Sequence, residues 1–279
     1  MLQVGTVFGA SMTALLISLF QGVSQTTVST YPIAAQGAVG ISTVSGDIKV
    51  SSWDGSTVKV TAEKTAQTQA VLDQLKVDAV ANNGNVAVKA VYPPSCTNCG
   101  VSFDVQVPRG VSVTAHTESG NVRVMEISGT ADVHSASGNL VVTNVGGMVN
   151  ADTSSGNIRV QSPGAAVHCR TSSGNIDITG ARGDLDAQTA NGNVKARLDN
   201  ISDVHGIMLR TTEGNVELAL PRNASAIFDV STTAGSIRSD FGQVPTQGYA
   251  GASLTQTLGD GRIKVKLNTT AGNVSLLTD

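Results

Sequence analysis

From residue 119 to residue 190, apolar and polar side chains alternate in four consecutive units of 18 residues. Each unit opens on Ser-Gly-Asn and carries apolar or small residues at its fourth, sixth, thirteenth and fifteenth positions. Alternation with a period of two predicts strands with one buried face. Each unit should therefore contain two short strands, with the Gly-Asn pair in the turn between them, because both residues tolerate tight-turn conformations.

The same pattern continues on both sides of this segment. A fixed period indicates one supersecondary unit repeated along the chain. If the units stack as coils, each asparagine lies on its counterpart about 4.8 Å away and forms an amide ladder. The predicted ladder comprises Asn121, Asn139, Asn157, Asn175, Asn193 and Asn215, and the predicted repeat turns lie at Gly46, Gly84, Gly120, Gly138, Gly156, Gly174, Gly192, Gly214, Gly235 and Gly272.

These observations predict an all-β chain that forms a parallel β-solenoid, with about 18 residues and two short strands per coil. An antiparallel sandwich is the alternative, since Gly-Asn also suits hairpins. The identical alignment of successive units favours the solenoid. We predict one solenoid domain over residues 39–279, preceded by a linker and N-terminal cap over 25–38, with loops at 63–74, 92–100, 200–206 and 240–261.

Residues 1–24 differ from the rest of the chain. Val7–Phe20 is an apolar run, and Gly22-Val23-Ser24 has the small-x-small pattern of a signal-peptide cleavage site. The segment contains no Lys or Arg, so an uncleaved membrane anchor is the alternative, although the run is short for a membrane span. We therefore predict export to the periplasm, the cell envelope or the medium.

Composition narrows the range of functions. Apolar residues make up 40% of the chain but aromatic residues only 3%, as expected for a thin core of Val, Ile and Ala. The net charge of −3 provides no basic surface for nucleic acid. The Ser-Gly pairs lack the G-x-S-x-G nucleophile motif, and the turns lack the aspartates of calcium-binding β-rolls. We therefore expect no enzymatic activity and no cofactor.

One outward face concentrates polar groups. At the outward positions of neighbouring coils, His116, His134, Asp132 and Asp152 should be neighbours. Imidazole and carboxylate groups suit Zn or Ni, so these residues are candidates for a metal site. An ordinary solvated sheet face with alternating charges gives the same pattern. We favour this second interpretation and predict no metal.

Cysteine usage fits an exported chain. Cys96 and Cys99 lie in a Pro-rich loop, where a disulfide, two free thiols, or a metal or redox pair are alternatives. A redox motif needs a βαβ setting, which this sequence lacks, and a disulfide is favoured if the chain is exported. Cys169 occupies an inward position, where we predict a buried core thiol.

Several ordered motifs together resemble a known family. They are Ser45–Val50, Val107–Asn121, Ser137–Val142, Ser155–Val160, Ser173–Ile178, Glu213–Pro221 and Ala234–Ile237. In this order they resemble the bacterial putative-adhesin β-strand repeat family, a domain of unknown function, over roughly residues 39–279. The resemblance implies a β-solenoid in or near the cell envelope, with no established catalytic residues.

Together these features favour a non-enzymatic envelope or surface module that binds a protein or cell-surface partner as an adhesin or scaffold. An envelope stress-sensing or regulatory module that works through protein partners is the alternative. Leu276 and Leu277 end the last coil of the sequence without a polar cap. Because an open sheet edge recruits another strand, we also expect end-to-end self-association through this C-terminal coil.

Overall fold

The structure is a computed structural model that describes residues 22–242, 245–248 and 251–279. Over these ranges the chain forms 25 strands and one six-residue helix. In chain order they are β1 (Val23–Pro32), β2 (Ala38–Ser45), β3 (Ile48–Trp53), β4 (Thr57–Ala66), α1 (Gln69–Gln74), β5 (Lys76–Asn82), β6 (Asn85–Val91), β7 (Gly100–Pro108), β8 (Ser112–Ser119), β9 (Val122–Met125), β10 (Ala131–Ser137), β11 (Leu140–Thr143), β12 (Val149–Ser155), β13 (Ile158–Gln161), β14 (Val167–Ser173), β15 (Ile176–Thr179), β16 (Leu185–Asn191), β17 (Val194–Arg197), β18 (Gly206–Glu213), β19 (Val216–Leu220), β20 (Ala226–Ala234), β21 (Ile237–Ser239), β22 (Thr246–Gly248), β23 (Gly251–Leu258), β24 (Ile263–Ala271) and β25 (Val274–Thr278).

The strands form two sheets with the hydrophobic core between them. Sheet A has twelve strands in the order β1-β4-β7-β3-β9-β11-β13-β15-β17-β19-β25-β21. Sheet B has thirteen strands in the order β22-β23-β20-β24-β18-β16-β14-β12-β10-β8-β2-β6-β5. Pairing is parallel through the centre of both sheets and antiparallel only towards their ends. The prediction of an all-β chain built on parallel strands is confirmed.

Each coil consists of a strand of sheet B, the Gly-Asn corner and a strand of sheet A. From β8 to β16, partners on neighbouring strands of sheet B are 18 residues apart in the sequence, as are Asn121 and Asn139 at the corner. The separation rises to 22 between Asn193 and Asn215, because the connection from β17 to β18 contains the predicted loop near residues 200–206.

Alternating side chains of both sheets fill the core. In β11, Leu140 and Val142 are buried and the intervening Val141 points outward, while Ala131 and Val133 of β10 face them from sheet B. Removing one Val or Leu side chain from water contributes about 1.5–3 kcal/mol, so the repeated alternation itself supplies the stability of the stack. Aromatic side chains are few in this core because the two sheets need only short residues between them.

The two C-terminal coils are stacked against the order of the sequence. Strands β24 and β25 pair on one side with β18 and β19, and on the other side with β20 and β21. Both strands of the last coil are therefore paired on both sides. The premise of the predicted self-association through Leu276 and Leu277 is wrong, because this coil lies inside the stack and Leu276 pairs with Leu218 on one side and Ser239 on the other.

The segment predicted as a loop at 240–261 is largely strand. It contains β22 and β23, and β23 pairs antiparallel with β20 along the outer side of sheet B. After this excursion the chain returns as β24, which lies between β18 and β20 in sheet B. The prediction was wrong because the Gly content of the segment suggested a loop, whereas the alternation of Ala252, Leu254 and Gln256 buries one face.

The N-terminal end also departs from the prediction. The segment predicted as a linker and N-terminal cap over 25–38 is mostly β1, which forms the end of sheet A and pairs antiparallel with β4, and β4 pairs antiparallel with β7. Part of the predicted 63–74 loop belongs to β4, and the remainder contains α1, whose Leu72 is buried. The prediction failed here because a period of two does not reveal whether neighbouring strands run parallel or antiparallel.

The predicted signal or anchor segment at 1–24 lies mostly outside the described residues. Only its last three residues are described, and Val23 and Ser24 already belong to β1. Among the described residues, no helix has the length and apolar character needed to cross a membrane.

Candidate interaction surface

A row of buried hydroxyl groups fixes the inner side of the Gly-Asn corner. The Ser135 hydroxyl donates to the Gly120 carbonyl at 2.9 Å, and Thr153 donates to Gly138 at 3.2 Å. The same bond to the glycine of the neighbouring coil is made by Thr117, Thr171, Thr189, Thr211, Thr269 and Thr232. This role of the hydroxyl groups was not predicted, although a hydroxyl residue at the seventeenth position of each unit was its signal.

The asparagines form a ladder on the outer side of the same corner. In each step up to Asn193, the backbone N–H and the side-chain Nδ2 of one asparagine both donate to Oδ1 of the preceding one, at 2.9 Å and 3.2 Å from Asn157 to Asn139. Asn215 and Asn273 donate to the preceding Oδ1 through the backbone N–H alone, at 2.8 Å. The ladder runs through Asn121, Asn139, Asn157, Asn175, Asn193, Asn215 and Asn273. All seven side chains are exposed, so the ladder lines the turn and does not enter the core.

The two ends of the ladder carry different residues. Asp47, at the first rung, accepts from the backbone and side-chain amides of Asn121 through Oδ1. Ser236, at the last rung, donates from its backbone and its hydroxyl to Asn273 at 2.9 Å. The Asp47 carboxylate has no N–H group that would need an acceptor in a preceding coil. The Ser236 side chain has no amide oxygen that could accept from a following coil. Asp47 and Ser236 thus mark the terminal rungs of the ladder.

Nine of the ten predicted turn glycines stack at this corner. A Cβ on Gly174, for example, would lie 2.0 Å from the carbonyl oxygen of Gly156, so only glycine allows the coils to approach this closely. The stacked order is Gly46, Gly120, Gly138, Gly156, Gly174, Gly192, Gly214, Gly272 and Gly235. The prediction for Gly84 was wrong: Asn83 and Gly84, with φ of 50° and 76°, form the hairpin turn between β5 and β6.

The outer face of sheet B carries two parallel rows of side chains, all of them polar except Met208. One row contains His116, His134, Asp152, Arg170, Gln188 and Arg210, and the other contains Thr114, Asp132, Asn150, His168, Asp186 and Met208. We call these two rows the sheet B face. A shallow groove runs along it past His116, His134, Asp152 and Arg170. Neighbouring strands lie about 4.8 Å apart, so the rows present closely and evenly spaced contacts.

The four predicted metal candidates lie together on the sheet B face. His134 Nε2 is 2.9 Å from Asp132 Oδ1, and His134 Nδ1 is 3.5 Å from Asp152 Oδ2. The rings of His116 and His134 have centroids 6.4 Å apart and are tilted by 49°. Each nitrogen of His134 therefore faces a protein carboxylate. Within the described ranges, no three His, Cys, Asp or Glu side chains are placed to hold one metal ion.

Charges on the sheet B face are only partly neutralised by one another. On this face Arg170 lies 3.8 Å from Asp186. Beyond its last strand, Lys266 lies 3.7 Å from Asp229. His116, His168 and Arg210 take part in none of the ion pairs found among the described residues. Exposed pairs of this kind contribute little to folding, typically 0 to about 1 kcal/mol. These side chains are thus available to contact a partner without a large loss of stability.

The outer face of sheet A is more completely paired. Lys49 bonds Asp104 at 2.9 Å, and Lys195 bonds Glu217 at 2.8 Å. The hydrogen bond to Glu217 raises the pKa of the Lys195 ammonium group. Arg159 lies 3.5 Å from Asp177, which leaves Arg123 as a cation outside the ion pairs found on this face. We call the outward row of sheet A the sheet A face; it consists of Asp104, Lys49, Arg123, Val141, Arg159, Asp177, Lys195 and Glu217.

The three cysteines occupy two different environments. Cys96 and Cys99 bring their sulfur atoms into bonding contact, with Cα atoms 5.8 Å apart, which lies within the usual range for a disulfide. Cys169 is fully buried between Ala151 and Ala187 on neighbouring strands. Burial raises the pKa of its thiol, and the nearby carboxylates of Asp152 and Asp186 raise it further. Cys169 is therefore a core residue and not a nucleophile.

The fold defines the class of protein as an all-β repeat protein with two long sheets. Residues 5–169 and 165–277 both match the model of the Toastrack DUF4097 family, and the chain belongs to this family. No curated protein matches the sequence.

Two solved structures of bacterial proteins match this chain over most of its length. A protein of Bacteroides fragilis described as a putative adhesin is 11% identical, with a TM-score of 0.52, over 91% of this chain and 97% of that chain. A Parabacteroides distasonis protein, also described as a putative adhesin, is 10% identical, with a TM-score of 0.33, over 90% and 97%. At 11% identity, the likeness to the Bacteroides fragilis protein concerns the fold alone.

Proposed function

We propose that this chain is a non-enzymatic module of the bacterial envelope or surface, which binds a protein or cell-surface partner as an adhesin or scaffold. The observation that carries the proposal is the sheet B face. Its His, Asp and Arg side chains stand at the same outward positions of successive coils, in register along the stack. A partner that lies along the stack can contact several coils at once, so contacts that are weak individually add up.

Two further observations support this proposal. The outward charges contribute little to folding, so their arrangement along the sheet B face is free to serve recognition. The Bacteroides fragilis protein with a similar fold is described as a putative adhesin and not as an enzyme. Export is part of the proposal, and the apolar run over residues 7–20 and the contact between Cys96 and Cys99 support it.

Binding of the purified, fluorescently labelled protein to intact bacterial cells, measured by flow cytometry, tests the proposal. The variant Arg170→Glu/Arg210→Glu reverses two charges on the sheet B face and should reduce binding at least tenfold. The matched control Arg123→Glu/Arg159→Glu makes the same change in charge on the sheet A face and should bind like the unchanged protein. Absence of binding, or equal loss in both variants, would contradict the proposal.

Export is tested separately on the cells that produce the protein. Fractionation and mass spectrometry of the N-terminus should find the chain in the periplasm, envelope or medium. Alkylation without reductant should leave Cys96 and Cys99 unmodified, because the disulfide protects them, and prior reduction should expose both. A chain found in the cytoplasm with two reactive thiols would refute both export and the disulfide.

A further inference from the structure

Strand β1 forms an open edge of sheet A. It pairs with β4 along all ten residues, from Val23 opposite Ala66 to Pro32 opposite Thr57. On its other side, no described strand pairs with it. The unpaired N–H and C=O groups of such an edge are a template for another strand.

This edge differs from the other three edges of the two sheets. β5, at the same end of sheet B, carries Lys76 and Asp78, and β21 and β22 at the opposite end have only three residues each. Short strands and charged residues are the devices by which proteins keep edges from pairing. β1 has ten residues and no charge, and its only proline, Pro32, is its last residue. It is the one edge among the described strands that lacks these protections along its length.

Exposed apolar side chains gather at the same end of the stack. The large hydrophobic residues with the highest exposure are Val28 of β1, at 59%, and Val80 of β5, at 62%. Val28 lies on the outer face of sheet A, because the residues on either side of it, Thr27 and Ser29, pair with the buried Ala62 and Val60. A solvent-exposed valine in the middle of an uncharged strand with one unpaired edge favours pairing of that edge to a second strand.

We propose that β1 pairs antiparallel with β1 of a second copy of this chain, with the two Val28 residues opposite each other on a two-fold axis. This register keeps the inner faces of the two sheets on the same side, because opposite residues differ by an even number of positions. It places Thr27 opposite Ser29 and Thr26 opposite Thr30 of the other copy. Each of these pairs is neutral, and such pairs of Thr, Ser and Val stabilise antiparallel sheets.

A second copy fits this edge better than an unrelated strand. The pairing order at this end of sheet A is already antiparallel, from β7 through β4 to β1, and a β1–β1 pair continues it. A two-fold axis also closes the assembly, since each copy uses its single β1 edge. The pairing leaves the sheet B face of each copy uncovered and does not depend on the proposed adhesive function. The dimer would present two such faces to one partner.

Sedimentation equilibrium of the protein as processed by the producing cell tests the pairing. The unchanged protein should form a concentration-dependent dimer. Val28→Lys should weaken dimerisation at least tenfold, because two ammonium groups would meet at the two-fold axis. Val80→Lys places the same change on the β5 edge and should leave the dimer unaffected. Equal unfolding temperatures of both variants would show that neither change disturbs the fold.

Cross-linking tests the register. Val28→Cys should form a disulfide-linked dimer under mild oxidation, and Val80→Cys should remain monomeric on non-reducing gels. A monomer at all concentrations for the unchanged protein would overturn the proposal. So would equal dimerisation of the Val28→Lys variant, or equal cross-linking of the two cysteine variants.

Discussion

The hydroxyl oxygen of Tyr92 lies 2.6 Å from Oγ1 of the buried Thr43, which pairs with Thr117 and so extends the hydroxyl row by one coil. The backbone N–H groups of Ser45 and Val101 both donate to this tyrosine at 3.1 Å, and the tyrosine donates to the Ser45 carbonyl at 2.7 Å. Thr43 donates to the carbonyl of Val101 at 2.9 Å, which replaces the glycine carbonyl that a preceding coil would supply. Tyr92 therefore caps the N-terminal end of the hydroxyl row.

Tyr92→Phe should lower the free energy of unfolding by about 1–3 kcal/mol, because two backbone N–H groups lose their partner in a part-buried site. Urea unfolding followed by circular dichroism measures the change. Tyr31→Phe on the edge strand β1 removes a hydroxyl for which no bond to a described residue is found, and should change the free energy by less than about 0.5 kcal/mol. Equal effects of the two substitutions would refute the capping role of Tyr92.

The turn glycines allow a second prediction. A Cβ at position 156 would lie 2.0 Å from the carbonyl oxygen of Gly138, which is itself held by the hydroxyl of Thr153. Gly156→Ala should therefore destabilise the chain by about 3 kcal/mol or more, since neither backbone can move without breaking the stack.

Gly40→Ala is the matched control, because no atom lies within 4 Å of the Cβ that this substitution would add. It should be neutral or stabilise the chain by up to about 1 kcal/mol, through the lower entropy of the unfolded chain. Thermal unfolding of both variants measures the difference. A Gly156→Ala variant as stable as Gly40→Ala would show that the corners do not need the close approach.

The alternation of residues was sufficient to predict the two-strand coil and the asparagine ladder, because burial and stacking constrain those positions directly. The order of the coils was not predicted. Ala234-Gly235-Ser236 and Ala271-Gly272-Asn273 fit the repeat almost equally well, and neighbours in a stack need not be neighbours in the sequence. Ser236, in place of an asparagine, was the sequence signal for the coil order. The outermost rung has no following asparagine to bind, so it needs no amide oxygen.

The candidate surface was predicted only in part. The outward positions of His116, His134, Asp132 and Asp152 followed from the period of two, and the structure brings these residues together. Tyr92 was missed because it lies outside the repeat, in a loop whose path depends on tertiary contacts. The alternation of apolar and polar residues carries no information about the identity of a partner, because the core does not constrain the outward side chains.

The amide ladder predicts a difference between inner and terminal rungs. Asn157 donates from Nδ2 to Asn139 and accepts two bonds from Asn175, so Asn157→Ala removes three side-chain contacts. Because the ladder is exposed and water replaces part of these bonds, we expect a loss of about 1–2 kcal/mol. Ser236→Ala removes only one contact at the last rung and should cost about 0.5 kcal/mol. Urea unfolding would contradict the ladder's contribution if the terminal change cost as much as the inner one.

The buried thiol of Cys169 predicts a loss of stability at alkaline pH. Burial, together with Asp152 and Asp186, raises its pKa in the folded chain, whereas a thiol in the unfolded chain has a pKa of about 8.5. Below that pH both states hold the proton, and the stabilising contribution is complete. Above it, only the unfolded chain releases the proton, so stability falls by up to about 1.4 kcal/mol per pH unit.

The substitution Cys169→Ala removes this titration and leaves every other ionisable group in place. The difference in unfolding free energy between the unchanged protein and the variant should therefore shrink by about 2 kcal/mol between pH 8 and pH 10. The cavity left by the sulfur adds only a pH-independent offset. Urea unfolding at a series of pH values measures both the pH-dependent difference and the constant offset. Parallel pH profiles of the two proteins would mean that the thiol titrates alike in the folded and unfolded chains, and would contradict its burial beside two carboxylates.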